Sequence, residues 1–365
     1  MPHILRLTKT YFREIDLPLF NLVAILSFIS IVNMYGLSGF GNGIFNKQVL
    51  YIVIGIVVMI IFSFFNYRYF KNYSAFVLIV YLISIFLLIV TFYSRSVRGT
   101  NSWIVFGQFT FEPAELTKLC LIILMAKYYS QKHIHIYQLR HIIASSIYFV
   151  IPAVIMINQP DLGSTIILGL IWASLLLAAG ISKKQIIAMV LIALVIAFSA
   201  WFLVLKPYQK TRILSFINQS EDPRGAGYNL IQSKIAIGSG FWLGNGLGNA
   251  SQANSGFLPE PYNDFIFAAF AEQFGFVGIL VIMILVTGLV YRVLSIGSTT
   301  SSNFGKLFSV GVAVFIFSHV IVSSSVNIGL MPVTGLPFPF MSSGGSNLFS
   351  IMAGLGILQS IKRYG

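Results

Sequence analysis

The residues best placed to do chemistry lie in one polar, glycine-rich stretch, residues 222–278. Four of the chain's ten acidic residues fall in this stretch: Asp222, Glu260, Asp264 and Glu272. A membrane protein keeps carboxylates only where water or a substrate meets them. The pattern predicts that a helix begins here, with the Asn263 side chain as its cap and Asp264 in its first turn. Asp264 would then be held at the membrane surface.

Three acidic residues elsewhere in the chain are further candidates. Glu115 and Lys118 lie three residues apart in the segment FEPAELTK, so on a helix they share one face and can neutralise each other within the membrane. Glu112, in the same segment, is expected to be more exposed. Asp161, in the segment QPDLGS, either forms a turn through its side chain or faces a cavity.

The composition is that of a polytopic membrane protein. The 365 residues have a mean hydropathy of +0.86, with 57% hydrophobic and only 9% charged residues, which excludes a water-soluble domain of this size. The net charge of +13 is spread over short connections rather than gathered in a patch, so we expect no nucleic-acid partner. Cys120 is the only cysteine, which excludes a disulfide framework and a thiolate metal site.

The apolar segments predict an all-α fold of about ten transmembrane helices in one membrane domain, residues 1–365. A span needs about 17–25 residues. The predicted spans are 17–38, 48–65, 74–93, 113–130, 141–158, 163–180, 185–205, 263–291, 307–327 and 338–361. A long loop, residues 206–262, separates the seventh span from the eighth.

The charged residues of the short loops orient these spans. Basic residues in the short loops favour cytoplasmic termini and place loop 206–262 on the extracytoplasmic side. All acidic residues except Glu14 and Asp16 then lie outside the membrane or in its outer half. We therefore expect a polar cavity that opens to the outside.

Two irregular regions frame that cavity. Residues 229–237 interleave apolar and polar side chains, which predicts a short interfacial helix within the long loop. Prolines and glycines break the chain across residues 332–345. This segment either lines a wet cavity at membrane depth or forms an ordinary outer loop.

Five separated blocks in one order resemble the SEDS family of bacterial cell-wall proteins, which includes the rod-shape protein RodA and the division protein FtsW. The blocks are FTFEPAELTK, NQPDLGST, DPRGAGYNLIQSKIAIGSG, LPEPYNDFIFAAFAEQFG and NIGLMPVTGLPFPFMSSGGS. The resemblance covers nearly the whole chain and is closer to RodA in the third block, whereas the GLGNASQ run is more similar to FtsW.

The resemblance implies that Asp264 is the family's essential acid. SEDS proteins are glycosyltransferases that polymerise lipid II, so Asp264 would be the general base for the acceptor sugar's 4-hydroxyl, or would hold substrate and a divalent cation, Mg or Mn. Such a step inverts the anomeric centre and needs no nucleophilic carboxylate. The family usually reads His-Thr-Asp here, where this chain has Tyr262-Asn263-Asp264; Tyr262 can still donate a hydrogen bond.

The resemblance, together with the positions of charged residues in the loop and on the predicted helix, gives a set of cavity or substrate-binding residues around Asp264. These are Trp103, Glu115, Lys118, Asp161, Arg212, Lys234, Glu260, Tyr262 and Glu272. Glu272 lies eight residues after Asp264, so on one continuous helix it shares nearly the same face and either lines the cavity or forms a pair within it. Trp103 is equally an interfacial anchor, and the loop cations Arg212 and Lys234 are suited to lipid diphosphates or to anionic head groups of membrane lipids.

The expected function is therefore polymerisation of lipid II into β-1,4 glycan strands at the outer face of a bacterial cytoplasmic membrane, for cell elongation and shape. The family implies a class B penicillin-binding protein as the transpeptidase partner. Two alternatives remain open, a lipid II transporter and a non-catalytic scaffold for that partner.

Overall fold

The structure is a computed structural model that describes residues 15–94, 102–107, 109–132, 138–203, 210 and 226–365. Its helices are α1 Leu17–Ser38, α2 Gly43–Phe64, α3 Arg68–Asn72, α4 Ser74–Val90, α5 Pro113–Lys132, α6 Leu139–Asn158, α7 Leu162–Ala178, α8 Lys183–Leu203, α9 Ala226–Ser239, α10 Ser251–Asn254, α11 Ile266–Thr299, α12 Asn303–Asn327 and α13 Gly345–Tyr364. A short hairpin of two strands, β1 Ile104–Phe106 and β2 Phe109–Phe111, precedes α5.

The predicted all-α membrane fold is confirmed. A helix of 17 or more residues lies at each of the ten predicted positions in the described part of the chain. Among the described residues, six helices are long and apolar enough to cross a membrane by length and composition alone, namely α1, α2, α4, α6, α11 and α12. The count of ten spans therefore stays a prediction.

The helices differ in how much of their surface is buried. The bundle therefore has an interior that contains polar side chains and an outer surface of apolar side chains. Helix α12 is the most enclosed of the six, because it packs against α5, α7 and α11. Helix α13 packs along α2 and α5. Apolar side chains on α1, α2, α4 and α6 stay exposed, as lipid-facing surfaces do. The buried polar side chains of α5, α12 and α13 meet in the interior.

The β-hairpin brings two candidate residues together, and the sequence did not predict it. Ile104 pairs with Phe111 at the open end of the antiparallel ladder. Trp103 precedes the first of these residues and Glu112 follows the second, so both leave the hairpin at the same end. The hairpin thus places Trp103 at the start of α5.

Helix α11 breaks at Gly275, where φ is +65°. The loop after α9 fills the break, because Phe241 and Trp242 accept hydrogen bonds from the amides of Phe276 and Val277 at 2.9 and 3.0 Å. A Cβ atom at Gly275 would lie 2.3 Å from the Gly244 nitrogen. A glycine is required by both the backbone conformation and this close approach.

Several predicted helix boundaries are wrong: α2 begins at Gly43 rather than at residue 48, and α11 ends at Thr299 rather than at residue 291. Helix α11 begins at Ile266 rather than at Asn263, and α13 begins at Gly345 rather than at residue 338. The interfacial segment 229–237 is helical as predicted and forms the middle of α9. Residues 328–344 carry no helix, and part of this segment lines the cavity described below.

Candidate active site

Three carboxylates from three separate turns line one cavity of about 150 Å³, which we call the acidic cavity. Glu112 precedes α5, Asp161 precedes α7 and Asp264 lies just before α11. Its wall comprises Ser102, Trp103, Glu112, Pro160, Asp161, Asn263, Asp264, Val333, Thr334, Gly335, Pro337, Gly344, Ser346 and Asn347. The expected convergence of turns on one polar cavity is therefore present.

Four helices also begin at the acidic cavity, because Gly344, the residue before α13, joins the three acids in its wall. Free amides and the helix dipole make a helix N-terminus favourable for negative charge. The helix dipoles of α5, α7, α11 and α13 therefore favour negative charge in the cavity. This arrangement suits carboxylates and also an anionic substrate group such as a diphosphate.

Asn327 of α12, and not Asn263, caps the helix beside Asp264. The Asn327 side-chain oxygen accepts a hydrogen bond from the Ala268 amide at 3.0 Å. Its Nδ2 donates to the Asp264 carbonyl at 2.9 Å. The buried side-chain amide of Asn327 thus pairs with a free backbone amide in the first turn of α11 and holds the backbone of Asp264. The predicted cap is wrong because Asn327 takes this place.

Asn263 instead ties the Asp264 turn to the segment before α13. Its backbone carbonyl accepts a hydrogen bond from the Ser342 hydroxyl at 2.9 Å, and its side-chain oxygen accepts one from the Ser343 hydroxyl. The Ser343 amide donates to the Tyr262 carbonyl at 3.0 Å. The backbone on both sides of Asp264 is therefore held by other elements, and its side chain lines the cavity.

Glu112 and Asp161 differ from their expected environments. Glu112 is buried, with 8% of its surface exposed, so the expectation of an exposed residue is wrong. Its amide donates to the Ser346 hydroxyl at 2.8 Å. Asp161 caps α7 by accepting from the Ser164 amide at 3.0 Å, and it also lines the cavity, so both of its interpretations hold. Burial raises the pKa of both carboxyls, which precede their helices.

A buried polar network lies directly behind the acidic cavity. Glu115 accepts from Lys118 at 2.7 Å and from the Asn347 side chain at 2.9 Å. His319 of α12 lies 3.2 Å from the Lys118 ammonium. Glu115, Lys118 and His319 have no exposed surface. The predicted ion pair is therefore present, but it supports the cavity through Asn347 and does not line it.

A second cavity, of about 320 Å³, adjoins the first. The two cavities share Trp103, Asn263 and Gly344. Glu260 and Tyr262, both predicted to be cavity residues, line the second cavity. They lie close to Asp264 in sequence but are not part of the wall of the acidic cavity. The Tyr262 hydroxyl donates to the Leu37 carbonyl at 3.4 Å.

Glu272 has a structural position away from both cavities. Its carboxylate accepts from the Ser251 hydroxyl at 3.1 Å and from the amides of Gln252 and Ala253 at 2.8 and 3.3 Å. It therefore caps α10, and it is fully buried. The shared helical face with Asp264 that the spacing predicted is interrupted because α11 begins after Asp264.

The predicted loop cation Lys234 lines neither cavity. Lys234 lies exposed on α9 with its side chain against Gly329, and Arg212 lies outside the described residues. In the described ranges no three His, Cys, Asp or Glu side chains are close enough to hold a metal ion by themselves.

Thr334 and Glu112 both line the acidic cavity. Neither residue belongs to the set of cavity residues predicted from the sequence. The signal for Glu112 was its position immediately before Pro113, because proline favours the first position of a helix and so places Glu112 at the helix entrance. No local signal identifies Thr334.

Comparisons with known proteins agree with this architecture. The model of the FtsW, RodA and SpoVE family, described as cell cycle proteins, matches residues 9–365. The chain is 33% identical to the peptidoglycan glycosyltransferase MrdB of Escherichia coli strain K12 over 358 residues, which cover 97% of this chain and 95% of that protein.

Solved structures share the fold. One comes from work on the structural coordination of polymerization and crosslinking by a peptidoglycan synthase complex, with a TM-score of 0.81 at 25% identity over 96% of this chain and 98% of that one. The rod shape determining protein RodA of Thermus thermophilus gives a TM-score of 0.72 at 22% identity, over 96% and 98% of the two chains. The chain belongs to the FtsW, RodA and SpoVE family of cell cycle proteins, which confirms the resemblance that its sequence blocks indicated.

Proposed function

We propose that this protein is a peptidoglycan glycosyltransferase that polymerises lipid II into β-1,4 glycan strands. The observation that carries the proposal is the position of Asp264, which has a held backbone and lines a cavity where four helices begin. A base and an anion-stabilising site are the two things that this reaction needs in one place. The 33% identity to a peptidoglycan glycosyltransferase over nearly the whole chain supports the same activity.

In the proposed step, Asp264 accepts the proton of the acceptor sugar's 4-hydroxyl as that oxygen attacks the anomeric carbon of the donor. The bond from that carbon to the lipid diphosphate breaks, and the anomeric centre inverts. The helix N-termini stabilise the negative charge that develops on the leaving diphosphate. Because burial favours the protonated form of Glu112, the cavity carries less negative charge beside that anion.

A divalent cation, Mg or Mn, fits the oxygen donors of this cavity. Magnesium is usually bound by one or two carboxylates together with substrate phosphates rather than by a cage of protein ligands. Asp264 is the residue that would hold it, with phosphate oxygens of the lipid as the other ligands. When bound, the cation would supply positive charge to the leaving diphosphate.

The partner and the location follow from the family. We propose a class B penicillin-binding protein as the transpeptidase that crosslinks the new strands, in line with the synthase complex whose structure this chain resembles. The protein would lie in the bacterial cytoplasmic membrane with both termini cytoplasmic and the acidic cavity extracytoplasmic, and would serve cell elongation.

The test is polymerisation of labelled lipid II by the purified protein together with its partner. Polymeric glycan strands that a muramidase digests to disaccharides are the expected product. If no strands form while labelled lipid II crosses the bilayer of vesicles that contain the protein, the function is transport. If neither occurs and the partner's own activity rises on binding, the function is that of a scaffold.

A further inference from the structure

Two side-chain oxygens in the wall of the acidic cavity have no hydrogen-bond partner among the described residues. They are Oδ2 of Asp161 and Oγ1 of Thr334. Both atoms are buried, and buried polar atoms are rarely left unpaired, because each costs free energy when water is removed. An unpaired oxygen in a cavity wall is satisfied when a ligand enters.

The two oxygens belong to one side of the cavity. The start of α7 contacts the segment that carries Thr334 so closely that a Cβ atom at Gly163 would lie 3.0 Å from the Thr334 carbonyl and 2.8 Å from Leu336. Asp161 caps the same helix through its other oxygen, Oδ1. The backbone at both residues is therefore held, and one oxygen of each side chain is left for a ligand.

This side of the cavity continues to the proposed base. Gly335 follows Thr334, and a Cβ atom at Gly335 would lie 3.9 Å from Oδ2 of Asp264. Asp264, Thr334 and Asp161 thus line a continuous polar surface. A sugar ring that presents one hydroxyl to Asp264 can present neighbouring polar groups to the other two residues.

We propose that Asp161 and Thr334 form a subsite that binds ring hydroxyls of the acceptor sugar and so orients its 4-hydroxyl towards Asp264. A carboxyl and a hydroxyl side by side can accept and donate hydrogen bonds, as recognition of adjacent sugar hydroxyls requires. Thr334 is then a substrate-binding residue for the acceptor. The inference rests on the proposed glycosyltransferase function.

The experiment separates the effect of the Thr334 hydroxyl on lipid II binding from the effect of the shape of the Thr334 side chain. Thr334→Val keeps the volume of the side chain and removes the hydroxyl, whereas Thr334→Ser keeps the hydroxyl. Thr299→Val is the matched control. Thr299 lies at the end of α11 that is remote from the acidic cavity, and its hydroxyl donates a hydrogen bond to the Ile296 carbonyl of the same helix. Each variant is compared in thermal unfolding, in binding of fluorescent lipid II and in polymerisation with the partner.

The proposal expects Thr334→Val to raise the Kd and the KM for lipid II by about three- to tenfold, the effect of one lost hydrogen bond. The thermal midpoint should not change. Thr334→Ser and Thr299→Val should bind as the wild type does. Asp161→Asn, which can still cap α7 through its amide oxygen, should also weaken binding.

Unchanged binding by Thr334→Val would overturn the subsite, because a site filled only by water predicts that result. Equal weakening by Thr334→Val and Thr334→Ser would also overturn it, since packing would then be the cause. A wild-type protein that binds lipid II but makes no strands would refute the proposed function, while the binding series would still decide on the subsite.

Discussion

The Nδ1 atom of His319 lies 3.2 Å from the carbonyl oxygen of Pro337. Its other ring nitrogen, Nε2, lies 3.2 Å from the Lys118 ammonium, which can only donate. Nε2 is therefore the acceptor, and Nδ1 carries the hydrogen that it donates to Pro337. Because Pro337 lines the acidic cavity, this neutral imidazole connects the buried ion pair to the irregular segment beside Asp264.

Replacing His319 should weaken the support of the cavity. His319→Leu leaves the Pro337 carbonyl without its buried partner, which costs about 1–3 kcal/mol, and it leaves Glu115 as the remaining partner of the Lys118 ammonium. We expect a lower thermal midpoint and at least a tenfold lower polymerisation rate. His319→Asn, whose amide can still donate towards Pro337, should recover part of the rate; a fully active His319→Leu would refute the connection.

The Glu115 and Lys118 pair gives a prediction about stability. Each residue is fully buried, so removing one partner leaves an uncompensated charge, which costs about 3–5 kcal/mol. Glu115→Gln and Lys118→Met should each unfold more easily in detergent, and the double variant should be more stable than either. Additive losses in the double variant would show that the two residues are not coupled.

The end of the bundle that holds Asp16 should respond to acid. Asp16, just before α1, accepts hydrogen bonds from the Arg292 guanidinium and from the Leu19 amide. Burial alone raises the pKa of Asp16, but these bonds and the charge of Arg292 outweigh it and hold the pKa below its ordinary value of 3.8. A depressed pKa contributes stability above the ordinary value that is lost as the pH falls through the folded-state pKa.

We therefore expect the thermal midpoint of the wild type to fall as the pH is lowered below about 4. Asp16→Asn should have a lower midpoint than the wild type at neutral pH and should lack this component of the acid dependence. Identical acid profiles for the two proteins would contradict this role of Asp16.

Chelation tests the proposed cation. EDTA should stop polymerisation, and added Mg²⁺ or Mn²⁺ should restore it, because one carboxylate and lipid phosphates make a weak, exchangeable site. The thermal midpoint of the lipid-free protein should not change with EDTA, since the described residues provide no metal cage of their own. Full activity in EDTA would remove the cation from the mechanism.

The sequence predicted the helices well because their signal is local. Long apolar runs predicted each main helix, and the three-residue spacing of Glu115 and Lys118 predicted their ion pair. The convergence of acids on one cavity followed from their positions at the outer ends of spans. These inferences need only composition, spacing and charge.

The errors come from contacts between residues that are distant in sequence. Asn327 lies 59 residues from the amide that it caps, so no local pattern could show that it displaces Asn263 as the cap of α11. Glu272 has the spacing of a cavity residue, yet it caps α10, which lies earlier in the chain. The break at Gly275 is stabilised by a loop more than 30 residues away.

The central claim is that Asp264 is the base. The most direct measurement compares polymerisation of labelled lipid II by the wild type and by Asp264→Asn, each with the partner protein and each shown to be folded and to bind the lipid. We predict that the variant keeps its thermal midpoint and still binds the lipid but forms strands at least about a hundredfold more slowly, as expected for loss of a general base. Strand synthesis by Asp264→Asn at the wild-type rate would contradict the account.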